Sequence, residues 1–179
     1  MSAIHALDNT FADCKEGLHL SKGAAYDKAL PVPNLALKAS ATASSIYDRT
    51  YLPQFACDGS FVSGGWSSKG TPGETPWLQL DLGAAHALAR VEVVLRQDID
   101  QPVTRRNFQV LASTTPDFAD PIVLGSQGET ALAHRATWSA DLTVKTPFRY
   151  LRVVKTAPEY FFVAEVRAFA NEARQEKPK

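Results

Sequence analysis

Two carboxylates and a scatter of aromatic and guanidinium side chains are the residues of this 179-residue chain that invite a chemical reading. Glu165 sits in Val163-Ala-Glu-Val166, and a carboxylate between apolar neighbours needs a cation or a hydrogen-bonding partner if it is buried. Asp58-Gly59 opens the turn-rich stretch Ser60-Phe-Val-Ser63, in which several carbonyls can converge. Two anionic oxygens plus carbonyls suit a hard cation that takes about six to eight oxygen ligands; a simple salt bridge is the competing reading. The second group is spread over segments 46–54, 67–75, 96–106 and 156–162, which hold Tyr47, Arg49, Tyr51, Arg96, Asp98, Arg105, Arg106, Tyr160, Phe161 and Phe162. A flat ring offers an apolar face to a pyranose, while Arg and Asp supply fixed hydrogen-bond geometry.

Enzymatic machinery has no comparable support. The chain contains no G-x-S-x-G elbow, Walker loop, G-x-G-x-x-G or H-E-x-x-H. Its four histidines, at 5, 19, 86 and 134, are scattered without metal-ligand spacing. The reading is therefore a binding chain and not an enzyme. Nineteen basic residues balance nineteen acidic ones, which argues against nucleic acid and anionic membranes as bulk electrostatic partners.

Those loop residues need a frame, and the pattern from Asn34 onward is β. Leu78, Leu80 and Leu82 alternate with Gln79 and Asp81. Leu88–Leu95, Asn107–Ser113, Phe148–Lys155 and Val163–Phe169 are further strands, with weaker ones at 37–44 and 136–143. Gly- and Pro-rich turns separate them, which points to an antiparallel sandwich or barrel. Trp77, at the head of its strand, is read as core packing, and Arg105-Arg106 as a solvated pair.

The first 33 residues differ. Ile4, Leu7, Phe11, Cys14 and Leu18 carry a helical stripe that Asp8-Asn-Thr10 interrupts, and Pro31-Val-Pro33 joins it to the rest. Residues 1–33 are expected to be an extension or linker, 34–170 the domain, and 171–179 a frayed tail. No basic start with an apolar run marks a signal peptide, so the expectation is a cytoplasmic protein, or an extracellular one cut from a longer secreted chain. Cys14 and Cys57 lack zinc-site spacing, and whether they pair stays open.

Seven blocks, taken in order, resemble the discoidin (coagulation factor 5/8 type C) domain and the related family 32 carbohydrate-binding modules. They are Asn34–Ser45, Ala56-Cys-Asp-Gly59 with Trp66-Ser-Ser68, Pro76–Gly83, Val91–Asp98, Phe108–Ser113, Phe148–Val154 and Ala164–Phe169. The resemblance implies an eight-stranded antiparallel jelly-roll β-sandwich, all-β, with a short N-terminal extension. It also implies a structural calcium, at positions matching Asp58, Ser63 and Glu165.

Galactose-binding members resemble this chain at Arg96, in Leu95-Arg-Gln-Asp98, and at an aromatic in the last loop, here Tyr160 or Phe161. The usual galactose constellation is incomplete, because Ile46, Ser67 and Pro102 stand where those members carry an acidic residue, a His and an Asn. The ligand set expected is Arg96, Asp98, Tyr160, Phe161, Tyr47 and Arg49, gripping a glycan or glycoconjugate. A protein-interaction or adhesion domain using the same loops is the alternative. A membrane-lipid binder, inserting Tyr51-Leu52 or Phe161-Phe162, ranks lower because the chain lacks a basic excess.

Overall fold

The computed structural model describes residues 32–61 and 64–170. The expected N-terminal helix, Cys14, Ser63 and the tail lie outside them. Nine strands form two antiparallel sheets among the described residues. They are β1 (Ser40–Ala43), β2 (Trp66–Ser67), β3 (Trp77–His86), β4 (Leu88–Leu95), β5 (Phe108–Ser113), β6 (Ile122–Gln127), β7 (Thr137–Asp141), β8 (Phe148–Lys155) and β9 (Phe162–Ala170). One sheet runs β1-β3-β8-β5-β6 and the other β2-β9-β4-β7.

The expected sandwich is present, with nine strands where eight were expected. The two strands absent from the sequence reading are β2, only two residues long, and β6, a half-exposed edge strand. Gly125 in β6 has no room for a side chain, since a Cβ there would stand 2.8 Å from the Trp138 ring.

Alternation builds the core as expected. Leu78, Leu80, Leu151 and Val153 face inward from one sheet, and Val91, Val93, Val163 and Val166 from the other. Trp66 and Phe161 meet edge-to-face at 5.9 Å, and Phe108 lies 5.8 Å from Phe161. Trp77 does not join this core. It is half-buried on the outer face of its sheet, where the Arg152 guanidinium lies 4.8 Å from its ring centre. The strand's alternation puts it there, two positions from Gln79 on the same face.

Two places depart from the pattern of apolar residues inward and polar residues outward, and both serve the loops. In β9, Val94 of β4 pairs with Glu165 but Leu95 pairs with Val163, so β9 carries one extra residue. This bulge leaves Ala164 and Glu165 both beneath the long connection from β1 to β2 (residues 44–65). There Val94, Phe162 and Ala164 form a second small apolar cluster with Tyr51 and Tyr160 packed against it. The outer face of this sheet is therefore covered too.

The second departure is Lys155, the last residue of β8, whose side chain is fully buried. Its ammonium donates to the carbonyls of Val103 (2.5 Å) and Arg106 (2.7 Å) and to Glu159 Oε2 (3.2 Å). It thereby ties the β4–β5 loop to the β8–β9 loop. Burial pulls its pKa below the ordinary lysine value, opposed by Glu159. Arg105 is not the solvated residue expected. It is 3% exposed, paired with Asp100 and donating to the Leu132 carbonyl, and so braces the same loop from within.

Gly65 lets β2 approach the bulge. Its φ is +148°, and a Cβ there would fall 2.5 Å from the Val163 carbonyl oxygen and 2.7 Å from Ala164 Cα. Neither backbone atom can yield cheaply. Gly65→Ala is expected to destabilise by roughly 1–3 kcal/mol, the usual range for overpacking and backbone strain. Thermal unfolding checks this, and a variant melting with the parent would contradict it.

Candidate ligand-binding site and cation site

Three loops meet at one end of the four-stranded sheet, and the apolar cluster outside β4 and β9 is their floor. Tyr51 packs edge-to-face on Phe162 at 5.8 Å, and Tyr47 on Tyr51 at 5.9 Å. The stack runs from a buried ring to an open one: Phe162 is buried and Tyr47 is 59% exposed. Tyr47 is held through its backbone, whose N–H donates to the Ser67 carbonyl at 2.9 Å.

Arg96 is the polar centre. Its Nε and Nη2 donate to the two Asp98 oxygens at 2.8 and 3.1 Å, a bidentate pair. Its Nη1 donates to Gln101 Oε1 (3.2 Å) and to the Tyr160 hydroxyl (3.3 Å). The guanidinium carbon lies 4.9 Å from the centre of the Phe162 ring. The hydrogen bond from Arg96 is the first cause holding the Asp98 carboxyl below the usual range, so the pair stays ionised. A guanidinium has five N–H donors, and these bonds occupy four, leaving one on Nη2.

Tyr160 also shares a 2.8 Å bond with Ser67 Oγ, and Ser67 is fully buried. Tyr47, Tyr51, Arg96, Gln101 and Tyr160 line one open groove of about 320 Å³.

The structure thus brings together four of the six expected ligand residues: Tyr47, Arg96, Asp98 and Tyr160. Phe161 is a correction. It is fully buried between Trp66 and Phe108, because the chain entering β9 turns it into the core while its neighbours Tyr160 and Phe162 sit on the other side. Arg49 is exposed and lines no part of the groove. Gln101 and Ser67 were missed as site residues. Ser67 stands where related galactose binders carry His, and here it anchors the Tyr160 hydroxyl. Gln101 directly precedes Pro102, and the 3-10 turn Pro102–Arg105 that follows presents it to Arg96.

Asp58, on the 44–65 connection, stands close enough for its charge to act on Glu165, which lies beneath that connection. Glu165 is 1% exposed, and its Oε1 accepts the Gly59 N–H at 3.1 Å. Its Oε2 is buried with no hydrogen-bond partner among the described residues. Burial, helped by the Asp58 charge, pushes the Glu165 carboxyl up to about 7 against the opposing Gly59 bond. Asp58 Oδ1 accepts the Ser60 N–H at 2.8 Å, which shapes the turn beside it.

A buried, half-satisfied carboxylate next to a second acid has the donor chemistry of a hard-cation site. Among the described residues no cluster of three or more His, Cys, Asp or Glu occurs, so carbonyl oxygens would have to supply the remaining ligands. Cys57 is close by, and burial followed by repulsion from Glu165 and Asp58 raises its thiol to about 11. Buried and protonated, this thiol is a poor nucleophile.

No curated protein sequence matches the chain. Among solved structures, chitosan-binding module 1 from a Paenibacillus sp. IK-5 chitosanase/glucanase superposes with a TM-score of 0.61 at 22% identity, over 77% of this chain and 99% of that one. A fucolectin from Morone saxatilis (striped bass) serum gives 0.68 at 17% identity, over 82% of this chain and 51% of that one. The family 32 carbohydrate-binding module of C. perfringens NanJ, solved with galactose, gives 0.62 at 13% identity, over 77% and 98%. At these identities the likeness is one of fold. The F5/8 type C domain model matches residues 40–166, a span that includes the three loops and both sheets up to the last four residues of β9, and the chain belongs to that family.

Proposed function

We propose that the chain is a non-catalytic, lectin-like carbohydrate-binding module that grips a glycan in the Tyr47–Arg96–Tyr160 groove, with a calcium ion stabilising the loop beneath. The observation that carries this reading is the pairing of an open aromatic ring with a preorganised polar cluster in one groove. Tyr47 can stack on the apolar face of a pyranose. The free Arg96 N–H, the remaining lone pair of Gln101 and the Tyr160 hydroxyl can meet sugar hydroxyls, while Asp98 holds Arg96 in place.

Every polar member is already held by another, so little ordering is lost when ligand binds. The fold relatives that bind chitosan and galactose support the class of ligand. The absent acidic, His and Asn positions argue for a sugar other than the one a complete galactose constellation selects.

Calcium is inferred from Asp58, Glu165 and the carbonyls of their turn, with Ser63 as the remaining expected ligand. Its role there is charge neutralisation: it would give Glu165 Oε2 a partner and fix the 44–65 connection that carries Tyr47 and Tyr51. It has no part in a reaction.

Glycan-array screening followed by calorimetry tests the binding reading. Tyr47→Ala is expected to weaken the best array ligand about tenfold, equivalent to about 1.4 kcal/mol, with an unchanged melting temperature because the ring is exposed. An array with no binding, or an unaffected variant, contradicts it; capture of a protein partner through these loops would favour the adhesion alternative.

For the cation, calcium at about 100 times its Kd should add about 2.7 kcal/mol over the chelated protein, and Glu165→Gln should abolish the response. Identical melts in chelator and calcium contradict the site. In chelator the pH dependence has a definite sign. The folded carboxyl keeps its proton to about 7 and the unfolded one only to about 4.5, so stability is fully present below that lower value and falls as pH rises through 7. Calcium should remove that decline.

A further inference from the structure

The groove at Tyr47 does not end at the Arg96–Asp98 pair. Tyr51, which lines it, also lines a smaller hollow of about 100 Å³ with Phe61, Gln97, Asp98 and Phe162. That hollow shares Phe61, Gln97 and Asp98 with a wider one of about 250 Å³, which Arg135 also lines. The three recesses, which share these wall residues, form a track past the Arg96–Asp98 pair, with Arg96 lining the first groove and Asp98 the two hollows.

Both ends of the track have the same composition. Phe61 is 43% exposed and lines both hollows, with the Arg167 guanidinium 5.8 Å from its ring centre. Asp98 gives each carboxylate oxygen to one Arg96 N–H and keeps further lone pairs for a ligand hydroxyl. Arg135 is exposed and makes no ion pair among the described residues, so its donors remain available. Its backbone is in the left-handed region, φ +66°. The adjoining His134 Nε2 lies 3.2 Å from the Gln97 carbonyl oxygen, which fixes the Arg135 turn against the β4–β5 loop. A ring with hydrogen-bonding groups on two sides is the composition that made the first groove a sugar site.

Resting on the glycan reading above, we infer that the Phe61–Asp98–Arg135 hollow is a second saccharide subsite, so that the module takes an oligosaccharide of at least two pyranose units. The first unit stacks on Tyr47, the linkage crosses Tyr51, and the next unit packs on Phe61 with its hydroxyls on Asp98 and Arg135. A monosaccharide uses only half of the track.

The test compares each monosaccharide with an oligosaccharide ending in it: glucosamine with a chitosan tetrasaccharide, and galactose and fucose each with a tetrasaccharide that they terminate. Calorimetry is expected to show at least one tetrasaccharide binding tenfold or more tighter than its monosaccharide. Phe61→Ala should reduce that ratio to about two or less while leaving monosaccharide affinity unchanged, whereas Tyr47→Ala should weaken both. Arg135→Ala, on a separate exposed turn, should lower the ratio without moving the melting temperature, which separates loss of the subsite from disturbance of the Phe61 loop. Equal affinities within every pair, or a ratio that survives both Phe61→Ala and Arg135→Ala, would overturn the subsite and leave the first groove standing. Failure of all probes to bind would overturn the glycan reading and this inference with it.

Discussion

The extra residue in β9 is the constraint on which the functional end depends. A regular strand would send Ala164 and Glu165 to opposite faces of the sheet. The bulge leaves both under the 44–65 connection, one as apolar floor and one as a buried acid. Val94, Phe162 and Ala164 then give Tyr51 and Tyr160 an apolar bed on what would otherwise be a solvated sheet face. Gly65 lets β2 close on the bulge, and β2 in turn carries Ser67, which holds the Tyr160 hydroxyl and, through its carbonyl, the Tyr47 backbone. The aromatic groove and the Asp58–Glu165 pair are therefore two consequences of one irregularity.

The polar groups of the groove are restrained from two directions. From outside, Asp98, Gln101 and Tyr160 all bond to Arg96, so the guanidinium acts first as the hub that orders them. From inside, the buried Lys155 ammonium gathers the loops bearing Gln101 and Tyr160, and Arg105 pairs with Asp100 on the same loop. A buried charge is stable only when its donors are met, and Lys155 has three acceptors for three N–H groups. The balanced net charge of the chain conceals this arrangement, in which the site's charges are matched locally and present no large field. A surface of that kind suits a neutral, hydroxyl-rich ligand.

The frame was legible because alternation is a local signal. Leu78 and Leu80, or Val91 and Val93, announce an inward face without reference to any other strand. β6 escaped because an edge strand with one partner and a half-exposed surface has little pattern to show. Trp77 was misplaced because a bulky aromatic reads as core, whereas its strand parity sets it outside under Arg152. The site residues were legible as a population but not as an arrangement. Among Tyr160, Phe161 and Phe162, which ring points out depends on where the chain enters β9, and that is a property of its pairing with β2 and β4. Arg105 and Arg106 look alike in sequence, yet one is buried on Asp100 and the other half-exposed on Glu159. A signal was available in the apolar runs Val93-Val94-Leu95 and Phe161-Phe162-Val163-Ala164. Unbroken runs mark strands covered on both faces, and here the second cover is the binding loops.

On the proposed function, ligand is held by the three loops above the outer face of the four-stranded sheet. Backbone amide shifts of the isotope-labelled protein, followed by NMR as the glycan is added, test it most directly. Saturable shifts are expected at Tyr47–Tyr51, Arg96–Gln101 and Glu159–Tyr160, with β3, β5 and β8 quiet. Shifts centred instead on Trp77, Phe118 and Arg152, on the outer face of the five-stranded sheet, would contradict it.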